Sequence, residues 1–292
     1  NNDLALLLST SGSTGSSRFV KLSKENILDN ALNISKYLKI NSRHTTITTM
    51  SPSYSYGMSI INTHFVKGSK IVLNNSTFFD KNFWDKINKY KVNSFGGVPY
   101  HYEILKKLKF SSLHLPTLKY LTQAGGNMNE NTILYFLNSC KKMKIDFIQM
   151  YGQTEASPRM SYLPFKIARK KIGSIGKVIP GGKMFLRKFK NLNKVGEISY
   201  KGKNVFMGYS LSYKDLSKNY KKNKILKTGD LARVDRDGYF FLVGRKKREI
   251  KISGLRINLD ELSGIMENKK IKCCFVKKDE KIYLFTVSKQ SV

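Results

Sequence analysis

Short apolar runs alternate with amphipathic segments through the first 150 residues of the chain. The first two strands are predicted at residues 4–8 and 19–22. A helix follows, with Ser23 as its N-cap and one apolar face formed by Ile27, Ala31, Ile34 and Leu38. Further strands are predicted at 45–50, 69–73, 118–123 and 146–150, with another ending within 94–99, and further helices at 83–90, 100–108 and 132–142. This alternation predicts an α/β fold, in which flanking helices cover a central sheet that contains parallel strand pairs.

The pattern changes after Tyr162, where glycines recur every few residues and separate short strands. These strands are predicted at 184–189, 195–200, 231–234, 239–243 and 282–287. The segment Asp235-Arg236-Asp237-Gly238 has the composition of a hairpin turn between two of them. We therefore predict a β-rich subdomain over about 163–243 and the start of a small α+β domain at 244–292.

Charge and composition narrow the possible partners. The chain has 292 residues and 53 Lys and Arg against 20 Asp and Glu, a formal charge of +33. The basic residues are spread along the whole chain, as on a solvated surface, and no nucleic-acid reading element is present, so we expect no nucleic-acid partner. No apolar run approaches the roughly 20 residues of a membrane span. The three cysteines lack metal or disulfide spacing, which favours a cytoplasmic location.

The first segment with candidate chemistry is a loop of small residues between the first two predicted strands. It comprises Thr10, Ser11, Gly12, Ser13, Thr14, Gly15, Ser16 and Ser17. Successive backbone N–H groups in such a loop can form an anion-binding nest, to which the hydroxyls and the following Arg18 add donors for phosphate. It is not a Walker loop, because it lacks Gly-Lys-Ser/Thr and leads into a strand. A flexible Ser/Gly turn explains this segment equally well.

Two further segments combine a carboxylate with hydrogen-bonding groups. Tyr151-Gly152-Gln153-Thr154-Glu155 follows a predicted strand, where ligands of open α/β sheets bind. Its carboxylate can bind Mg²⁺ together with phosphate oxygens, its threonine can bond phosphate and its tyrosine can cover a base. Thr228-Gly229-Asp230 and the later Arg245 offer an acceptor and a donor for a ribose diol. A capped strand end and a hairpin with charged turns are the respective alternatives.

The order of these segments resembles the adenylate-forming superfamily, which includes acyl-CoA synthetases, adenylation domains and luciferases. Residues 10–15 resemble its phosphate loop, 151–155 its "YGxTE" motif, 228–230 its aspartate motif and 244–254 its hinge segment. The resemblance extends over essentially the whole chain. It implies that residues 1–243 are a partial AMP-binding domain and that 244–292 begin a mobile C-terminal domain.

The resemblance also implies a two-step reaction and a role for each matched residue. A carboxylic acid attacks the α-phosphorus of ATP, and the thiol of coenzyme A or of a carrier protein's phosphopantetheine takes the acyl group from the resulting acyl-AMP. The catalytic residues would be Thr154 at the α-phosphate, Glu155 as the Mg²⁺ ligand, and Arg18. Nucleotide contacts would come from Thr10, Ser11, Gly12, Ser13, Thr14, Gly15, Gly125, Gly126, Tyr151, Gly152, Asp230 and Arg245. Lys247 would be the hinge, and Tyr54, Tyr56 and Gly57 would form the wall of the acid pocket.

Some features of the family pattern are different or missing. Ser17-Arg18 stands where the family usually has Pro-Lys, and the family's C-terminal Gly-Lys motif has no match. The chain starts at Asn1 and enters an apolar run almost at once, so we expect a fragment of an enzyme that is poorly active by itself. The alternatives are an adenylation domain that loads an acyl carrier protein, an inactive nucleotide-binding remnant, and a basic nucleic-acid binder.

Overall fold

The computed structural model describes residues 3–9, 18–188, 195–218, 220, 225–246, 249–252, 255–268, 271, 273–278 and 281–286. The chain divides into two compact units. The first unit comprises Asn1–Met184 and Tyr200–Leu226, and the second comprises Phe185–Ser199 and Lys227–Val292. The predicted phosphate loop, residues 10–17, and the predicted hinge residue Lys247 lie outside the described residues.

Strands and helices alternate through the first unit, as the sequence predicts. Up to residue 178 they are β1 (Leu4–Ser9), β2 (Phe19–Ser23), α1 (Lys24–Tyr37), β3 (Thr45–Ile47), α2 (Ser55–Phe65), β4 (Lys70–Val72), α3 (Lys81–Lys89), β5 (Ser94–Gly97), α4 (Pro99–Lys107), β6 (Tyr120–Gln123), α5 (Glu130–Met143), β7 (Asp146–Gly152), β8 (Arg159–Leu163), α6 (Phe165–Ala168) and β9 (Ser174–Val178). The later elements are β10 (Lys183–Lys188), β11 (Val195–Lys201), β12 (Gly208–Ser210), β13 (Leu226–Val234), β14 (Phe240–Arg245), β15 (Glu249–Ile252), β16 (Leu255–Asn258), α7 (Leu259–Asn268), β17 (Cys273–Lys278) and β18 (Lys281–Thr286).

The main sheet of the first unit has the strand order β9-β8-β7-β6-β5-β3-β4. The strand pairs from β4 to β7 are parallel, and β8 and β9 add to β7 as antiparallel strands. A separate sheet of three antiparallel strands has the order β1-β2-β12. These parallel pairs with their intervening helices confirm the predicted α/β class.

An aromatic cluster fills the space between the parallel strands and two helices. Tyr102 of α4, Phe136 of α5 and Phe147 of β7 are fully buried, with ring centroids 4.9–5.6 Å apart. Buried aromatic rings supply much of the apolar area that stabilises a core. This core fixes the position of β7, the strand that leads into the 151–155 motif.

Helix α1 confirms the predicted cap, and its buried face includes polar residues beside part of the predicted apolar face. The Asn26 backbone N–H donates to Ser23 Oγ at 3.1 Å, and the Ser23 backbone N–H donates to Asn26 Oδ1 at 2.9 Å, which forms a capping box. Ala31 and Ile34 are buried as predicted, but Asn26 and Asn30 are buried with them. Polar residues therefore contribute to the inward face of this helix.

In the second unit, strands β10, β11, β13 and β14 are neighbours in that order, and β13 pairs antiparallel with β14. Two hairpins, β15–β16 and β17–β18, and helix α7 follow in the sequence. The prediction of a boundary between residues 243 and 244 stays a prediction. Among the described residues, no helix combines the length and apolar character that crossing a membrane requires.

Several predicted boundaries were wrong. The strand predicted at 45–50 ends at Ile47, and the one at 231–234 begins at Leu226, so the Thr228-Gly229-Asp230 motif lies inside β13. Strand β14 continues to Arg245, beyond the predicted end at 243. Helix α2 was not predicted, because its serines and glycine interrupt the apolar period.

Candidate functional site

The 151–155 motif forms the end of β7 and the short helical turn Thr154–Ala156 that follows. A Cβ atom at Gly152 would lie 1.8 Å from the carbonyl oxygen of Pro158, a backbone atom that cannot move away as a flexible side chain would. Only glycine fits there, so close packing accounts for this residue. The turn is held by a bond of 2.9 Å from the Phe206 backbone N–H to the Glu155 carbonyl oxygen.

Two fully buried asparagines anchor the chain after this turn. Asn204 Nδ2 donates to the carbonyl oxygens of Ala156, at 2.7 Å, and Arg159, at 3.0 Å. Asn30 of α1 donates to the same Arg159 carbonyl at 2.9 Å and accepts from its backbone N–H at 3.2 Å. Buried amides with satisfied hydrogen bonds hold a loop in one conformation. Thr154 and Glu155 are therefore presented by a rigid segment.

Glu155 belongs to a chain of three polar side chains drawn from distant parts of the sequence. The Tyr209 hydroxyl of β12 donates to Glu155 Oε1 at 2.7 Å, and the Arg18 guanidinium lies over the Tyr209 ring, 4.5 Å from its centroid. Burial raises the pKa of Tyr209, as does the hydrogen bond to the Glu155 carboxylate. The phenol therefore stays a donor at neutral pH. Arg18 Nε is a buried donor without a hydrogen-bond partner in the described part of the chain.

The predicted acid-pocket residues cluster at the start of α2. The Thr154 hydroxyl donates to Ser55 Oγ at 3.2 Å, which ties the 151–155 motif to this helix. Tyr54, the residue before α2, is partly exposed. Gly125 has a φ of +83°, a backbone conformation that favours glycine, and a Cβ there would come within 2.5 Å of the Tyr54 hydroxyl oxygen unless that side chain moved. Gly126 lies beside it against the Pro99 ring.

The other two residues predicted for the acid pocket are buried. Tyr56 donates through its hydroxyl to the carbonyl oxygen of Thr122 at 2.8 Å. Gly57 packs against the backbone, since a Cβ there would lie 2.2 Å from the Ser51 carbonyl oxygen. Tyr151 lies on β7 opposite Ser161 and is partly buried. The binding roles given to these residues remain predictions.

A cavity of about 20 Å³ lies beside Tyr56, which is room for about one water molecule. Arg159 of β8 and His64 of α2 line it, and both are 3% exposed. His64 Nδ1 lies 2.8 Å from the Ile60 carbonyl oxygen, which can only accept, so Nδ1 carries the proton. His64 Nε2 and Arg159 Nε are buried and have no hydrogen-bond partner in the described structure.

The buried His64 predicts a pH dependence of stability. Burial lowers its pKa to about 4, against about 6.5 in the unfolded chain. The unfolded chain therefore binds more protons between these values, so stability that is present above pH 6.5 is lost progressively as the pH falls to about 4. The difference between these two pKa values corresponds to about 3 kcal/mol of unfolding free energy. Thermal unfolding between pH 4 and 7 should show a flatter profile for His64→Gln than for the wild type; parallel profiles would contradict this.

Asp230 and Arg245 come together in the second unit. They face each other across β13 and β14, with Arg245 Nε 2.9 Å from Asp230 Oδ1. The Asp230 side chain is 8% exposed and that of Arg245 is 72% exposed. The Asp230 backbone N–H donates to Thr228 Oγ1 at 3.0 Å. The pair thus offers a fixed carboxylate and an accessible guanidinium, and its predicted role in holding a ribose diol stays a prediction.

Comparison with known proteins decides the family. The family model described as AMP-binding enzyme matches residues 1–210. The chain belongs to this family.

The relatives that match this chain are longer proteins. Oxalate–CoA ligase of Saccharomyces cerevisiae is 30% identical over 91% of the chain and 49% of the relative. Probable 4-coumarate–CoA ligase 1 of Dictyostelium discoideum is 30% identical over 90% of the chain and 49% of the relative. The structure of O-succinylbenzoate coenzyme A synthetase from Bacillus subtilis, in complex with ATP and magnesium ion, has the same fold, with a TM-score of 0.80, 22% identity and coverage of 98% of the chain and 60% of that protein. The chain spans about half the length of the curated relatives it matches.

Three side chains at the candidate site were not predicted from the sequence. Tyr209, Asn204 and Arg159 contact the motif turn or the cavity through partners far away in the sequence. Of the three, only Arg159 could have been noticed in the sequence, because it is a charged residue at the start of the largely apolar strand β8. Asn204 and Tyr209 lie in a glycine-punctuated region without periodicity, where no pattern marks them.

Proposed function

We propose that the chain is the nucleotide- and acid-binding part of an AMP-forming acid–thiol ligase. The observation that carries this proposal is the convergence of Arg18, Tyr209 and Glu155 at the end of β7. Ser9 and Phe19 are paired in the β1–β2 hairpin, so the Ser/Gly segment 10–17 connects two strands whose ends lie together. Arg18 directly follows that segment. Family membership supports the same assignment.

In the proposed reaction, the chain's residues bind and orient the two reactants. The carboxylate of the acid attacks the α-phosphorus of ATP, which forms one P–O bond, breaks another and releases pyrophosphate. Arg18 and the Thr154 hydroxyl would donate hydrogen bonds to phosphate oxygens as negative charge develops. The Arg18 Nε–H has no hydrogen-bond partner among the residues that the structure describes, which suits this role. Fixed donors in a water-poor site stabilise such charge more than solvent does.

A magnesium ion fits the donors present at this site. Glu155 is 9% exposed and supplies a hard carboxylate, one of whose oxygens accepts from Tyr209. The described residues include no cluster of three or more acidic, histidine or cysteine ligands that could enclose a metal. Mg²⁺ commonly binds one or two carboxylates and completes its shell with substrate phosphates and water. When bound, it would neutralise phosphate charge, and Glu155 would hold it. The ATP and magnesium complex of the B. subtilis synthetase supports this choice.

The second half-reaction needs a thiol, which attacks the carbonyl carbon of the acyl-adenylate and releases AMP. We propose coenzyme A as the acceptor, since both relatives described above are CoA ligases by name. Asp230 and Arg245 would hold the ribose. We also propose residues 244–292 as the beginning of the mobile domain, with Lys247 as its hinge.

The test is ATP–pyrophosphate exchange by the complete protein against a panel of carboxylic acids. We expect exchange that depends on one class of acid and on Mg²⁺, and discharge of the bound acyl group by free coenzyme A. Discharge only by a carrier protein would support an adenylation domain instead. Absence of exchange with every acid, with ATP binding intact, would overturn the ligase and favour a nucleotide-binding remnant.

A further inference from the structure

The cavity beside Tyr56 contains a buried positive charge. The Arg159 guanidinium lies 4.4 Å from the centroid of the Tyr56 ring, and its Nη2 donates to Ser59 Oγ at 3.0 Å. Its Nε, also buried, has no partner among the described groups. A guanidinium remains protonated in any protein environment. Arg159 therefore brings a full charge to the cavity wall.

No described side chain neutralises that charge. None of the residues that line the cavity is acidic, and no described carboxylate lies within 4.0 Å of the Arg159 side chain. His64 on the same wall is neutral at pH 7, since its pKa is about 4. A buried charge without a counterion is costly unless a ligand supplies the opposite charge. The site is therefore suited to an anion.

We propose that Arg159 binds the second carboxylate of a dicarboxylic acid, which would be the acid that this enzyme activates. This inference rests on the proposed ligase function and names its substrate class. The cavity of about 20 Å³ has room for about one water molecule, so it would receive one oxygen atom of the acid's terminal carboxylate.

Helix α2 sets the length of the acid. Ser55 bonds Thr154, next to which the reacting carboxylate would lie, and Ser59 bonds Arg159. These serines are four residues apart on the same helix face, a rise of about 6 Å. An acid with one carboxylate beside Thr154 and the other beside Arg159 therefore has its two carboxylates about one helical turn apart. Linear dicarboxylic acids of about four to six carbons satisfy this spacing.

The experiment compares dicarboxylic acids with monocarboxylic acids of equal length in ATP–pyrophosphate exchange by the complete enzyme. The pairs are succinate and butyrate, glutarate and pentanoate, and adipate and hexanoate. We expect the best dicarboxylate to exceed its partner in kcat/KM by about 100-fold, since a buried charge pair commonly has an effect of this order. Equal or better use of the monocarboxylates would overturn the proposal.

Three variants separate binding from folding. Arg159→Met should lower kcat/KM for the dicarboxylate about 100-fold and leave its monocarboxylate partner unchanged or better, whereas Arg159→Lys keeps the charge and should retain part of the preference. Arg233→Met is the control, because Arg233 also lies 4.4 Å from an aromatic ring, that of Phe241, but on an exposed surface. This control variant should leave kcat/KM unchanged for both acids.

The remaining outcomes distinguish the substrate class from the ligase function. If Arg159→Met lowers kcat/KM equally for both acids while ATP binding and thermal unfolding are unchanged, the proposed role of Arg159 is overturned. Exchange with some other carboxylic acid but none of these six would overturn the dicarboxylate proposal and leave the ligase intact. Exchange with no carboxylic acid at all would overturn the ligase and this inference together.

Discussion

Glu155→Gln is expected to lower acid-dependent ATP–pyrophosphate exchange by about 10²–10³-fold, with little change in folding. The glutamine keeps the shape of the side chain and can accept the Tyr209 hydrogen bond of 2.7 Å. It removes the negative charge that would hold Mg²⁺ against the phosphates. Exchange measured over a range of Mg²⁺ concentrations should show that excess Mg²⁺ restores only part of the lost rate.

Tyr209→Phe is the matched control for this substitution. It removes the hydroxyl that donates to Glu155 but leaves both the carboxylate and the aromatic ring under Arg18. We expect a loss of about tenfold, smaller than that of Glu155→Gln, because the lost hydrogen bond to the charged carboxylate contributes about 1.5–3 kcal/mol while the charge that would hold Mg²⁺ is kept. Wild-type exchange in Glu155→Gln would contradict the role of Glu155. A larger loss in Tyr209→Phe than in Glu155→Gln would instead assign the main effect to the tyrosine.

Gly152→Ala is expected to destabilise the first unit by about 3 kcal/mol, because the new methyl group would overlap a carbonyl oxygen. The alanine Cβ would lie 1.8 Å from the Pro158 oxygen, and that backbone is held by the Asn30 and Asn204 hydrogen bonds to the neighbouring Arg159. For a unit of this size the change corresponds to a fall in Tm of about 6–12 °C. Differential scanning calorimetry of the variant measures it directly.

Gly264→Ala provides the comparison. Gly264 lies inside α7, and a Cβ there would meet nothing within 4 Å. Alanine is the better helix former by about 1 kcal/mol, so this variant should be as stable as the wild type or more so. If the two alanine variants unfold at the same temperature, the 151–155 turn does not depend on close packing at Gly152, and glycine there needs another explanation.

Local patterns predicted most of the strands and helices of the first unit. Their signals are the apolar runs of β1 and β7 and the cap of α1 at Ser23, all of which involve residues close together in the sequence. Helix α2 escaped prediction because Ser55, Gly57 and Ser59 occupy positions where a periodic helix would have apolar residues. Those same serines form hydrogen bonds with Thr154 and Arg159. The polar residues that the site needs therefore replace the apolar residues by which a helix is recognised in a sequence.

The candidate site was predictable only where residues follow one another in the chain. The residues of the 151–155 motif are consecutive in the sequence. Asp230 and Arg245 lie on β13 and β14, two strands that are consecutive in the sequence and pair with each other. The contact between Tyr209 and Glu155 joins residues 54 positions apart, and that between Arg159 and Ser59 joins residues 100 apart. Such contacts arise from the tertiary fold and leave no pattern in a single sequence.

Activation of the acid as acyl-AMP, formed when its carboxylate displaces pyrophosphate from ATP, is tested most directly by an oxygen label. The complete enzyme would be supplied with ATP, Mg²⁺, coenzyme A and a carboxylic acid labelled with ¹⁸O in its carboxylate. Attack of that carboxylate on the α-phosphorus places one labelled oxygen in the AMP that leaves when the thiol takes the acyl group. We predict one ¹⁸O atom in each AMP formed. Thioester formation with unlabelled AMP, or with the label in inorganic phosphate and ADP as the nucleotide product, would contradict the account.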